Sequence, residues 1–227
     1  MMKFLGMKKT SSPIVVSPNK DNIRFSVHQA DSDLSCLNWL VSMIEKQKDL
    51  TPYTIIFCQT VNDIVCILSF LLMKLGARGA YIDGEGPASK RRLLGVYYSQ
   101  TPKSQKDAIT YSFEGKSGSV RVIIASSSLS MGVDFPNVQY VIHYGPSRTL
   151  TGQLQEAGRA GRDGKQAFNI IYFLGKHLTY CEKEMKSSVR GAVTAHFSLA
   201  LRRTLCQFHL DTCVITIVIA SASVMKP

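Results

Sequence analysis

Between residues 20 and 175, apolar positions follow two alternating rhythms. Short unbroken runs occur at "TIIFC" (54–58), "VRVIIA" (120–125), "VQYVIH" (138–143) and "FNIIYFL" (168–174). Runs of this length without polar interruption predict strands buried on both faces. "NIRFSVH" (22–28) and "GVYY" (95–98) share their β-type composition. Between these runs the spacing becomes helical. Leu34, Leu37, Leu40, Val41 and Ile44 recur in residues 31–49, with Asp31 or Ser32 placed to cap. "VNDIVCILSFLLMKL" (61–75) predicts a second helix, ended by Gly76. Thr101-Pro102 offers a capping hydroxyl and then a proline at the first position of a third helix, which runs to about Phe113. A fourth spans Leu150 to about Arg159. Residues 76–94 hold five glycine or proline breaks before Lys90, Arg91 and Arg92, and read as a short strand with a long surface loop.

Strand–helix alternation with continuous apolar strands predicts an α/β fold, a three-layer α/β/α sandwich around a mostly parallel sheet. No solenoid-type internal repeat is visible. Ligands of such sheets gather at the carboxyl ends of the strands. Three polar segments are expected there: "CQT" after strand 54–58, "SSSLSMGVD" after strand 120–125, and "QEAGRAGRDG" (155–164) after strand 138–143.

Composition narrows the partners. The 227 residues carry a formal net charge of +11, which favours a polyanion, and nucleic acid is the usual one. The six cysteines form no CxxC pair, and Cys58 and Cys66, in apolar segments, are expected to be small core residues. The N-terminus lacks a secretory apolar run, and "VITIVIA" (214–220) is far too short to span a bilayer. A reducing intracellular compartment and no membrane partner are expected.

Three segments carry candidate chemistry. Arg159 and Arg162, three apart among glycines, combine fixed donors with a permissive backbone and share a face if helical, an arrangement suited to a phosphate chain. A solvated basic loop is the plainer alternative. In "ASSSLSMGVDFP" (125–136), the three hydroxyls of Ser126, Ser127 and Ser128 can meet phosphates, Gly132 permits a tight turn, and Asp134 suits a ribose hydroxyl or an arginine. An ordinary strand-to-helix loop would look similar. Gln59 and Thr60 in "IIFCQT" (55–60) stand where a strand meets a helix N-terminus, where an anion site and a simple threonine cap are compatible readings.

These segments together resemble the RecQ-like DNA helicases of superfamily 2. "VRVIIASSSLSMGVDFPNVQYVIHYGPS" with "QEAGRAGRDG" resembles their motifs V and VI, "IIFCQT" their motif IV, and "YYSQTPKSQKDAITYSF" (97–113) the segment between. "SPNKDNIRFSV" (17–27) is similar to the join at which the second motor domain begins. The resemblance covers roughly residues 5 to 190. Gln155 and the Gly-Arg-Asp-Gly ending set it apart from DEAD-box RNA helicases, whose last motif usually begins with histidine.

The resemblance implies a RecA-like second motor domain over residues 21–176, a linker over 1–20, and a helical remnant of the zinc region with an atypical tail over 177–227. It implies ATP hydrolysis coupled to 3′-to-5′ unwinding of DNA, in the nucleus. Arg162 would be the arginine finger and Arg159 a second phosphate or coupling arginine. Gln155 would couple nucleotide state to DNA, and Gly132 and Asp134 would lie on the nucleotide side. Thr60, Gln59, Ser126 and Ser127 would meet single-stranded DNA.

Two expected elements are missing from the sequence. No G-x-x-x-x-G-K-[ST] occurs, and "GEGPASK" (84–90) has the wrong order for a phosphate loop. No Asp-Glu-x-His acid pair for magnesium is present either. ATP and Mg²⁺ are therefore expected to be held mainly by a first RecA-like domain, in cis or in trans, and the isolated chain to be inactive. A non-catalytic nucleic-acid-binding fragment, or a partial gene product, is the competing reading. At the other end "LRRTLCQF" (201–208) resembles the helix with the first zinc cysteine of the family, but Ala200 stands at that cysteine's position. Cys206 and Cys213, with His209 between, are poorly spaced for zinc, and no bound zinc is expected.

Overall fold

The computed structural model describes residues 20–82, 91–115, 118–130, 135–147 and 150–177. Six strands form one sheet: β1 (Ile23–Gln29), β2 (Thr54–Cys58), β3 (Leu94–Tyr97), β4 (Val122–Ala125), β5 (Tyr140–Tyr144) and β6 (Ala167–Phe173). Their order is β1-β6-β5-β2-β4-β3, and every neighbouring pair is parallel. Four helices of eight or more residues connect them: α1 (Asn38–Gln47), α2 (Val61–Gly79), α3 (Lys103–Phe113) and α4 (Leu150–Ala157).

The period of two along the buried strands divides the core. Ile56, Cys58, Val122, Ile124, Ile142 and Tyr144 face one way and pack with Leu40, Ile44, Ile67 and Leu71 of α1 and α2. Ile55, Phe57, Ile123, Ala125 and Val141 face the other way and pack with Ile109 and Phe113 of α3. His143 continues this second face and meets Glu156 of α4. The result is the expected three-layer sandwich, with α1 and α2 on one side of the sheet and α3 and α4 on the other.

Cys58 is buried as expected, but Cys66 stands on the outer side of α2 and is exposed, and two helix starts also differ from expectation. α1 begins at Asn38 after a 3-10 turn at Ser35–Leu37, not next to Asp31 or Ser32. Leu34 adopts φ 62° and is buried, so the chain turns there to seat a core side chain before the helix can start. The Asp33 carboxylate accepts from the Ser35 amide (2.9 Å), a bond that holds its pKa below the ordinary value. Thr101 does not cap α3. It is buried, accepts from the Tyr98 amide (3.0 Å) and donates to the Val96 carbonyl (3.2 Å), so it closes the end of β3. Pro102 takes the cap position, with extended backbone.

Gly76 breaks α2 as expected, with φ 68° inside the helical span. Beyond it, Tyr81 and Arg92 form an antiparallel bridge. Residues 83–90 lie outside the described residues.

Candidate functional site

Two separated surfaces carry the candidate residues. The first is the carboxyl edge of the sheet. β2 and β4 are neighbours with Phe57 opposite Ala125, so Gln59 and Thr60 leave the sheet beside Ser126 and Ser127. Thr60 caps α2: its hydroxyl accepts from the Asp63 amide (3.1 Å) and donates to Asp63 Oδ2 (2.7 Å). The other carboxylate oxygen of Asp63 binds Lys176 Nζ at 3.1 Å. Gln59 donates its side-chain amide to the Pro146 carbonyl, which ties the end of β2 to the loop after β5. Ser126 and Ser128 share a hydroxyl contact (2.8 Å) in the turn after β4. Thr60 and Ser127 are exposed, while Gln59 and Ser126 are half-buried.

His177 and Tyr144 back this edge. Their rings meet edge to face at 5.4 Å, and Gly145, with φ 89°, leaves room that a side chain would take from His177 and Gln59. Burial and then the Lys176 charge hold the His177 pKa below its ordinary value. Burial pushes the Tyr144 phenol up to about 12.

The arginine segment lies elsewhere. It was expected at the carboxyl edge, but α4 carries the chain back across the sheet, and residues 158–166 lead into the start of β6. The segment therefore stands at the amino edge. Gly161 N–H donates to the Val138 carbonyl (2.9 Å), ahead of β5, and Lys20 Nζ donates to the Gly158 carbonyl (3.1 Å). Asn22, just before β1, donates its side-chain amide to the carbonyls of Gly161 (2.7 Å) and Lys165 (2.8 Å). Gly161 has φ 59°, and a Cβ there would collide with the Asn22 amide. This glycine is required by both its conformation and its close neighbour.

The two arginines do not share a face. α4 ends at Ala157, and the turn that follows buries Arg159 (4% exposed) and leaves Arg162 exposed. Arg162 Nε lies 3.4 Å from the Gly158 carbonyl. Gln155 is exposed on α4. Gly132 and Asp134 lie outside the described residues, as does the tail with Ala200, Cys206, His209 and Cys213. Among the described residues no cluster of three or more His, Cys, Asp or Glu could hold a metal ion, and no helix is long and apolar enough to cross a membrane.

Chemically, the amino edge offers the exposed Arg162 on a hydrogen-bonded turn, a fixed-charge donor set suited to a phosphate. The family described as "Helicase conserved C-terminal domain" matches residues 35–164, more than half of the chain. The chain belongs to this helicase C-terminal domain family. Its likeness to RecQ-type helicases is also borne out. It is 27% identical over 198 residues to the ATP-dependent helicase wrn-1 of Caenorhabditis elegans, covering 84% of this chain and 17% of that one. It is 34% identical over 128 residues to the ATP-dependent DNA helicase Q-like SIM of Arabidopsis thaliana, covering 56% of this chain and 13% of that one. The chain thus spans less than a fifth of the length of either relative. The helicase C-terminal fold is shared with Saccharomyces cerevisiae Dbp5, solved bound to RNA and ADP BeF3, at TM-score 0.54 and 16% identity, over 77% of this chain and 42% of that one.

Sequence reasoning missed the residues that hold the arginine turn and α4 in place: Asn22, His143, Ser147, Glu156 and Asn169. His143 carried a signal, as the polar end of an otherwise apolar strand. Asn22 carried none, because its partners are more than 130 residues away along the chain.

Proposed function

We propose that this chain is the second motor domain of a RecQ-type, ATP-dependent DNA helicase with 3′-to-5′ polarity, acting in the nucleus. A first motor domain, in cis or in trans, holds ATP and Mg²⁺. Arg162 reaches the transferred phosphate from across the cleft, and Arg159, buried in the same turn, is the second phosphate or coupling arginine. Gln155, exposed on α4, couples the nucleotide state to DNA, and Asp134 and Gly132 serve the nucleotide as well. Thr60, Gln59, Ser126 and Ser127 track the backbone of single-stranded DNA. Residues 21–176 form the motor unit and 177–227 a divergent end.

The observation that carries this reading is the pairing, within a helicase C-terminal fold, of an exposed Arg162 on a fixed turn with a hydroxyl- and amide-lined carboxyl edge. A finger acts by neutralising charge that develops on a phosphoryl group, so it needs an exposed guanidinium on a backbone that does not move. The test is ATP turnover by the chain mixed with a separately produced RecQ-type first motor domain. Turnover that needs both parts, needs single-stranded DNA and is lost in Arg162→Ala supports the motor reading. Turnover that survives Arg162→Ala overturns it.

A second reading, a nucleic-acid-binding module without catalysis, is favoured by the lack of a phosphate-loop lysine motif within these 227 residues. It predicts salt-sensitive binding of single strands and no turnover in any mixture.

A further inference from the structure

The buried face of α4 holds a polar cluster that the proposed function does not use. Glu156 is 3% exposed, and a carboxylate at that depth is costly unless its oxygens find partners. Its Oε2 accepts from the Ser147 hydroxyl and lies 3.4 Å from His143 Nδ1. One turn earlier on the same helix face, Gln153 Oε1 accepts from the Ser147 amide at 2.8 Å. His143 is fully buried, and its Nε2 lies 3.2 Å from the side-chain amide of Asn169 on β6. In the tautomer with its hydrogen on Nδ1, Nε2 accepts from Asn169 Nδ2 and that hydrogen lies on the side of the carboxylate. Phe57 of β2 stacks on the same imidazole at 5.5 Å.

These contacts form a continuous path between the two candidate surfaces. Gln59 holds the Pro146 carbonyl at the carboxyl edge, and Ser147 is the next residue. Ser147 is clamped by Gln153 and Glu156. Three residues after Glu156 comes Arg159, whose amide donates to the Glu156 carbonyl (3.2 Å) at the start of the arginine turn.

We propose that Glu156 is a positioning residue: through Ser147 and His143 it locks α4 to the loop held by Gln59, and so sets the arginine turn at the amino edge according to the state of the carboxyl edge. Its role as a link between DNA and nucleotide rests on the motor reading. The lock itself does not.

The experiment is amide hydrogen exchange on the full chain, with and without a fluorescent oligo-dT strand, for wild type, Glu156→Gln, Glu156→Leu and Ser147→Ala. In wild type, oligo-dT slows exchange in residues 158–164 as well as at the carboxyl edge. Glu156→Leu and Ser147→Ala speed exchange of 158–164 in the free chain by on the order of tenfold, with β2, β4 and β5 unchanged. Both variants keep oligo-dT affinity but lose the distant slowing. Glu156→Gln, which still accepts from Ser147, retains most of both effects. A merely structural role would raise exchange throughout the sheet and lower affinity together, and that result overturns the proposal. So does unchanged exchange at 158–164 in both disruptive variants. Failure of wild type to bind oligo-dT overturns the DNA-edge reading instead, and the free-chain exchange then decides the lock.

Discussion

In the proposed function both edges of the sheet present polar groups toward a phosphate, and the structure builds the two by different means. At the carboxyl edge the groups belong to strand ends and a helix cap, and short local bonds hold them: Thr60 to Asp63, Ser126 to Ser128. At the amino edge one arginine is held by residues far away in sequence, with Lys20, Asn22 and Val138 gripping the turn through backbone carbonyls and amides. The hydroxyls of the carboxyl edge are thus placed by local rules, with Gln59–Pro146 and Lys176–Asp63 tying that edge to distant segments. The amino edge is built by tertiary contacts, so a single substitution there disturbs the whole turn.

The sharpest way to break this contrast is Arg162→Ala. With a first motor domain present, ATP turnover should fall by about 10³ to 10⁵, on the order of 4–7 kcal/mol of barrier. Single-strand affinity, measured by fluorescence anisotropy, should stay within about twofold, because this arginine lies at the far edge. Equal losses in both would merge the two surfaces into one site.

Next comes a pair of glycines with similar backbone and different surroundings. Gly161 (φ 59°) abuts Asn22, whereas Gly164 (φ 78°) has open space. Gly161→Ala should lower the unfolding free energy by roughly 2–4 kcal/mol, combining strain with loss of the Asn22 bonds. Gly164→Ala carries strain alone and should cost about 1 kcal/mol. Denaturant titration of the two variants separates the contributions, and equal costs would deny Asn22 its role.

At the carboxyl edge the effects are smaller. Thr60→Ala removes a helix cap worth about 1 kcal/mol and should weaken single-strand binding. Its plot of log affinity against log salt should be no steeper than that of wild type. A variant with intact DNA affinity would leave Thr60 a cap and nothing more.

The smallest effect is a pH dependence. The folded-state pKa of His177 lies below its ordinary 6.5, so the unfolded chain takes up this proton first as pH falls. The stability present above that value is lost as pH drops through it, and the loss levels off below the folded pKa. Thermal melts between about pH 7.5 and about pH 5.5 should show a decline that His177→Gln flattens.

Much of the scaffold was legible from the chain. The strands 54–58 and 168–174 were found to within a residue because a buried parallel strand must be apolar throughout. Gly76 was found because an extended break with positive φ selects glycine. The starts of α1 and α3 were misread for one reason. Asp31, Ser32 and Thr101 look like caps, but Leu34 and Thr101 are held by buried contacts that no local rule records. The candidate residues were legible as residue types, and their grouping was not. Arg159 and Arg162 look equivalent at a spacing of three, yet the turn after Ala157 buries one and exposes the other.

By itself, then, the sequence determined the alternation that makes a parallel three-layer sheet, the cap at Thr60 and the glycine-arginine signature of the family. Those depend on periodicity and backbone preference, which act over a few residues. Only the tertiary structure decided that the arginine turn stands at the amino edge, that Asn22 grips it there, and that Glu156 meets Ser147 and His143 behind α4. A helix of α4's eight residues advances roughly 12 Å and carries the chain from one edge of the sheet toward the other. The partners waiting at each end come from strands that the linear sequence keeps far apart.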